Sequence, residues 1–174
     1  MKLLLILAPF VVGLIAAIAT VAIGGMFMPR HHKASRSLVL SAAPDAVWQV
    51  ITDFPSHPTW RSLKSIERAP DINGHPVWRE IDKRGEGMPI EILESIPQTK
   101  YVGKIDDTGL PFGGTWTWEL TPEGPATRLR ITEDGFIKPP PFRYIARLMG
   151  YSFTIERYLG AMGKKLGQTV VVEP

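Results

Sequence analysis

The spacing of apolar positions divides the chain near residue 29. Leu3 through Met28 form a run of 26 residues without a charged side chain, nearly all aliphatic, Gly or Met. A helix needs roughly 20 apolar residues to cross a bilayer core and a secretory hydrophobic region only about 7 to 15, so the length predicts a spanning anchor within residues 1–29, the membrane contact being residues 3–28. A cleaved signal sequence is the alternative reading, because Lys2 precedes the run and Ala17-Ile18-Ala19 resembles a small-residue cleavage site. Ala16, Thr20 and Gly24 recur every four residues, a small-residue face that either pairs two anchors or faces lipid.

After Pro29 the pattern changes. Residues 30–36 read as a basic juxtamembrane linker, 37–168 as a folded domain and 169–174 as a C-terminal tail. Ser37 to Ser41 is a short β-type run, and Ala43-Pro44-Asp45 marks a helix start, since the first turn does not use the N–H that Pro lacks. Val47, Trp48, Ile51 and Phe54 follow at helical spacing until Pro55 and Pro58 force a turn or a second very short helix. From Leu63 to Phe136, short β-like stretches alternate with Asn73-Gly74, Gly85 and Gly87, Pro97, Asp107 and Gly109, Gly113-Gly114 and Glu123-Gly124-Pro125. This predicts an antiparallel meander with strands near 65–68, 77–82, 90–95, 101–105, 115–120 and 128–133. Trp116, Trp118 and Leu120 share one face of their strand, and Leu129 and Ile131 one face of the next, as in a sheet with one covered side. The cover is expected last: after Pro139-Pro140-Pro141, the positions Ile145, Leu148, Met149, Ser152, Ile155, Leu159, Met162 and Leu166 predict one long amphipathic helix. Tyr144, Tyr151 and Tyr158 repeat every seven residues along its flank. Gly150, Gly160, Gly163 and Gly167 each cost it up to about 1 kcal/mol relative to Ala, so a close backbone approach or a thinned wall is expected there.

Charge adds orientation. With 174 residues, 20 Lys+Arg and 17 Asp+Glu, the chain fits one folded domain of formal charge +3, not a multidomain enzyme. Arg30, Lys33 and Arg36 outnumber Lys2 across the apolar run, which favours a cytoplasmic domain, with a periplasmic or extracytoplasmic one as the alternative, and sets the basic cluster against anionic headgroups. That cluster needs no nucleic acid partner. Zero Cys excludes disulfides, thiolate catalysis and Cys-held metal.

No catalytic set emerges. Gly85-Glu86-Gly87 and Gly113-Gly114 lack the strand-to-helix context of phosphate-binding loops and read as hairpin turns. His57 and His75 read as surface or turn-stabilising, and no metal site or cofactor is indicated. Among the carboxylates, Glu119 opposes the Trp face, whereas Glu133 shares parity with Leu129 and Ile131. Arg79 and Glu133, with Tyr151, are the polar candidates for fixing a ligand. Trp60, Trp78, Trp116 and Trp118 supply the aromatic area of a cavity or a core, with Met149, Tyr151 and Ile155 facing them from the last helix. Phe112, between Pro111 and Gly113, is a lid, a membrane-touching tip or a buried loop anchor.

The order strand, helix, proline-broken turn, six-strand meander, long helix resembles the START-like, birch-pollen-allergen-like superfamily called SRPBCC, and within it the polyketide cyclase/dehydrase and lipid-transport group. The resemblance rests on Leu38-Val39-Leu40-Ser41-Ala42-Ala43-Pro44-Asp45-Ala46-Val47-Trp48, on Asp53-Phe54 and Pro58-x-Trp60, and on Trp116-x-Trp118-Glu119-Leu120 with Leu129-x-Ile131 and the last helix. It covers about residues 35 to 168. It implies an α+β helix-grip fold, a curved seven-stranded antiparallel sheet around a long C-terminal helix with a mostly apolar cavity between them. Members of the superfamily carry lipids or sterols, cyclise polyketides, bind coenzyme Q or act as co-chaperones, with no shared catalytic motif to transfer. The expected function is membrane-tethered, non-catalytic binding of a hydrophobic small molecule or lipid. The alternatives are a cyclase/dehydratase-type enzyme using the same cavity and a protein-interaction module whose partner the sequence leaves unnamed.

Overall fold

The computed structural model describes residues 2–174; Met1 and the side chains of residues 2–6 and 8 lie outside it. The apolar run is one helix, α1 (Lys2–Met26), and its segment Pro9–Met26 is long and apolar enough to cross a membrane. At about 1.5 Å per residue those 18 residues rise ~27 Å, close to the thickness of a hydrocarbon core.

The chain then enters a sheet directly. Strand β1 (His31–Leu40) starts six residues before the expected run at Ser37, so most of the stretch read as a linker is strand. Its composition is basic, but its geometry has period two, with His32 and Ala34 turned inward while His31 and Lys33 face solvent. Helix α2 (Pro44–Thr52) begins with Pro44 in its first turn, and a 3-10 turn (Phe54–Thr59) carries Pro55 and Pro58. The meander follows as β2 (Ser65–Ile72), β3 (His75–Ile81), β4 (Gly87–Ile96), β5 (Lys100–Ile105), β6 (Phe112–Glu123) and β7 (Ala126–Ile137). All pairings are antiparallel, in the order β1-β7-β6-β5-β4-β3-β2. Asn73 (φ 52°) and Gly74 (φ 81°) close the β2–β3 hairpin, both left-handed as a two-residue turn of that twist requires.

Two expectations are corrected. Gly113-Gly114 is not a hairpin turn but lies inside β6, where a Cβ on Gly113 would meet the Ile105 carbonyl and one on Gly114, at φ 134°, the Asp134 carbonyl. The pair is small because neighbouring backbone needs the space. The single long C-terminal helix is two helices, α3 (Pro140–Met149) and α4 (Phe153–Lys165), separated at Gly150, whose φ of 85° ends the first. Only α4 grips the sheet, burying Ile155, Leu159 and Met162 against Leu38, Leu129 and Ile131. Helix α3 turns away and packs on the C-terminal turns of α1.

The tail is tied down. Glu173 and Ser37 exchange two backbone hydrogen bonds (3.0 and 2.8 Å), covering the free edge of β1, and Val170 sits where a side chain on Gly163 would be.

Candidate functional site

Between the concave face of the sheet, the 3-10 turn and α4 lies a cavity of about 1150 Å³. The alternation read from the sequence places Trp116 and Trp118 on its wall, and β5 adds Tyr101 from the neighbouring strand, directly opposite Trp118. Trp60 enters from the 3-10 turn and Tyr158 from α4. Their rings form a connected set: Tyr158 lies 5.5 Å from Trp60, 6.3 Å from Trp116 and 5.9 Å from Trp118, mostly edge to face. Gly160 thins the helix side of the wall, with open space where its side chain would stand.

A polar group is set into this wall. Arg61 makes a two-pronged ion pair with Glu80, its second nitrogen 2.8 Å from Oε2, and the guanidinium lies over the Tyr158 ring at 5.1 Å. Burial opposes the Arg61 cation, and the Glu80 carboxylate outweighs that opposition, raising the guanidinium above its ordinary value. His57 is buried beside them. Its Nε2–H donates to the carbonyls of Val50 (3.2 Å) and Ile51 (3.1 Å), and its Nδ1 accepts from Arg61 (3.2 Å), so both ring nitrogens are engaged. Burial first, and Arg61 second, push His57 down from 6.5 to about 4. Burial likewise holds the Tyr101 and Tyr158 hydroxyls protonated, well above the ordinary tyrosine range. The Nε1 of Trp60, the hydroxyl of Tyr101 and the Nε1 of Trp118 are buried without a hydrogen-bond partner.

The depressed His57 has a stability consequence. Between its folded value near 4 and its ordinary 6.5, the unfolded chain binds a proton that the folded chain does not, so stability rises with pH through that window and is lost as pH falls. The full effect is roughly 3 kcal/mol at about 1.4 kcal/mol per pH unit of displacement. Thermal melts of the full chain from pH 7 to 4 should show this loss, and His57→Gln should lack that component; equal slopes would mean His57 charges freely in the folded state.

The sequence-derived candidates are only partly brought together. Trp60, Trp116, Trp118, Phe112 and Glu133 line the main cavity. Trp78 does not: it stacks on Phe54 with ring centroids 4.7 Å apart. Ile155 is fully buried in the core beneath α4. Arg79 is exposed on the opposite face of β3, and the neighbouring Glu80 takes the inward position. Met149 and Tyr151 line a second, smaller cleft of about 200 Å³ under α3, because the break at Gly150 carries them away from α4. There Tyr151 stacks on His32 at 4.5 Å. Glu133 reaches both spaces, 3.3 Å from His32 Nε2 and accepting from the Thr154 hydroxyl at 3.2 Å. His75 pairs with Glu91 at 2.7 Å, outside both. Arg61 and Tyr101 are not among the residues to which the sequence points, Glu80 is one of the scattered meander carboxylates, and Tyr158 enters only as the last of the heptad-spaced tyrosines. Glu80 shares parity with Trp78, which was a usable signal; Arg61 sits in a turn where no periodicity applies. Among the described residues, no group of three His, Asp or Glu side chains is placed to hold a metal ion.

The comparison with curated proteins finds no match. Among solved structures, a START superfamily protein from Mycobacterium smegmatis superposes with TM-score 0.63 at 19% identity, over 78% of this chain and 97% of that one. An aromatase/cyclase from a Streptomyces species superposes with TM-score 0.61 at 14% identity, over 79% and 94%. Norcoclaurine synthase from Thalictrum flavum gives TM-score 0.60 at 14% identity, over 78% and 93%. At such identities these are likenesses of fold. A sequence profile described as polyketide cyclase/dehydrase and lipid transport matches residues 31–165, from the first residue of β1 to the last of α4. The chain therefore belongs to the polyketide cyclase/dehydrase and lipid-transport family.

Proposed function

We propose that this protein is a membrane-tethered, non-catalytic carrier or sensor that binds a hydrophobic small molecule or lipid between its sheet and α4. The observation that carries this reading is the cavity of about 1150 Å³ walled by Trp60, Tyr101, Trp116, Trp118 and Tyr158. A space of that size suits a ligand of lipid or polycyclic dimensions, held by apolar burial at roughly 25 cal/mol per Å². Arg157, Lys164 and Lys165 stand at the rim on α4, none within ion-pair distance of an acid among the described residues, and suit an acidic or polar end left near water. The anchor α1 keeps the cavity beside the bilayer, where an apolar ligand is concentrated.

One observation favours the enzymatic alternative: a buried Arg61–Glu80 pair with His57 and Tyr158 in the cavity wall resembles a set of acid-base groups. Its internal bonding argues for structure instead. His57 has no free nitrogen, and Glu80 is committed to Arg61 through both oxygens. The interaction-module alternative calls for a filled core, which the cavity opposes.

Native mass spectrometry of the full chain released from detergent micelles tests the carrier reading. A one-to-one adduct that survives micelle removal, extracts into organic solvent as a lipid or isoprenoid, and falls in occupancy in Trp116→Ala is the expected result. An apo mass that takes up no added lipid removes the reading, whereas an adduct indifferent to Trp116 makes Trp116 a core residue.

A further inference from the structure

The break at Gly150 leaves α3 with an unusual surface. Phe142, Ile145, Leu148 and Met149 are 51%, 43%, 72% and 52% exposed, a stripe of apolar side chains at spacings of three and four that the fold does not cover. From Gly135 to Ile155 the chain has no Asp or Glu, while Lys138, Arg143 and Arg147 flank the stripe. Lys138 and Arg143 are bound to backbone carbonyls and hold the segment in place; Arg147 is exposed on α3 itself.

The position of α3 is set by α1. Tyr144 lies against Gly24, and the Pro140 carbonyl lies where a side chain on Gly25 would be, so the start of α3 is locked to the last turns of the apolar helix. The small residue at Gly24 therefore seats α3, not a second anchor. If α1 crosses a bilayer through Pro9–Met26, those last turns lie at its boundary, and α3 beside them lies at headgroup depth. Tyr144 then occupies the level where membrane proteins place their aromatic belts.

The cleft under α3 adjoins the main cavity. Phe112, Glu133 and Thr154 line both, and Phe112 (40% exposed) and Phe153 (37% exposed) extend the apolar surface of α3 to their common edge. We propose that α3 is a membrane-interface helix that, with Phe112 and Phe153, holds this mouth of the cavity against the bilayer surface, so that ligand passes between lipid and cavity beneath α3. The inference rests on the tether of the preceding section. Burial of such a stripe to about 5–10 Å, with cations at the headgroups and no acid on α3 itself, is how interfacial helices bind. It gives the uncovered residues of α3 a lipid environment that is continuous with that of α1.

The absence of Cys allows a direct test on the full chain. Single variants Leu148→Cys and Phe142→Cys on α3, Ile15→Cys on α1 and Glu67→Cys on the distant β2 are labelled with an environment-sensitive nitrobenzoxadiazole dye. They are reconstituted into vesicles of phosphatidylcholine and phosphatidylglycerol, with or without doxyl-labelled lipid. All four positions are exposed, so the fold is not at stake, and circular dichroism checks it. The expected result is blue-shifted emission at 142 and 148 with lipid quenching at least about twofold stronger than at 67, as headgroup-level burial requires. Quenching of 142 and 148 by aqueous iodide, as at 67, while 15 remains lipid-quenched, would overturn the α3 proposal and leave the tether standing. Loss of lipid quenching at 15 as well would overturn both. Blue-shifted emission at 142 and 148 without lipid quenching would mean that protein covers α3, and also overturns the proposal.

Discussion

Glu80→Ala is expected to destabilise the folded domain by about 3–5 kcal/mol, the range for removing one member of a buried ion pair. The Glu80 side chain is 4% exposed and that of Arg61 20%, so water cannot take over the work of the carboxylate. Without it, the guanidinium retains only His57 Nδ1 and the face of Tyr158, neither of which neutralises a charge. The reverse change, Arg61→Ala, strands a buried carboxylate and should cost a similar amount. The pair itself is a different quantity. Because desolvation consumes most of its attraction, the double variant Arg61→Met/Glu80→Leu should recover much of the loss. Melting followed by near-ultraviolet circular dichroism reads all three. Equal losses in the single and double variants would mean that shape, not charge compensation, sets the stability of this wall. The distinction bears on function, since a self-satisfied pair leaves the cavity effectively apolar, whereas a strained one offers a charge to a ligand.

Much of this architecture was legible in the residues. Turn residues bounding short β-like stretches located all six meander strands, and Pro44, Pro55 and Pro58 located α2 and the 3-10 turn, because local stereochemistry decides those features. The strands came out longer than expected, since pairing with a neighbour extends a strand beyond its apolar stretch. This is clearest for β1, where polar residues from His31 to Arg36 are held by the register with β7 from Phe136 to Ile131. The helix break was the largest miss. The apolar spacing from Ile145 to Leu166 continues through Gly150 without a gap, and what interrupts the helix is tertiary: α1 seats α3, and His32 takes Tyr151. That single break moved Met149 and Tyr151 out of the main cavity and left Tyr158 as the C-terminal tyrosine that lines it beside Tyr101. The inward ion pair escaped for a related reason. Trp78 and Glu80 share parity on β3, but Trp78 stacks on Phe54 and only Glu80 of the two lines the cavity, so parity alone does not separate them.

Trp116→Ala and Trp118→Ala are expected to separate binding from stability, although the two residues lie on one face of one strand. Trp118 is 8% exposed and packs on Tyr101 at 5.5 Å as well as on Trp116 and Tyr158, so its removal opens a void in the core and should cost about 3–5 kcal/mol. Trp116 is only half-buried, at the cavity wall, and among the described residues its ring meets only the aromatic rings of Trp118 and Tyr158. Truncating it enlarges a space that already exists and should cost less than half as much stability. Its free face is what a ligand would cover. Withdrawing roughly 60 Å² of apolar contact at about 25 cal/mol per Å² removes ~1.5 kcal/mol of binding, or about tenfold in Kd. Titration of the full chain with oleic acid, read as adduct occupancy by native mass spectrometry, measures the second quantity, and thermal melting the first. A Trp116→Ala protein that melts much lower yet binds oleic acid unchanged would make Trp116 a core residue, and the cavity would then have to bind through Trp60 and Tyr158 on its opposite wall.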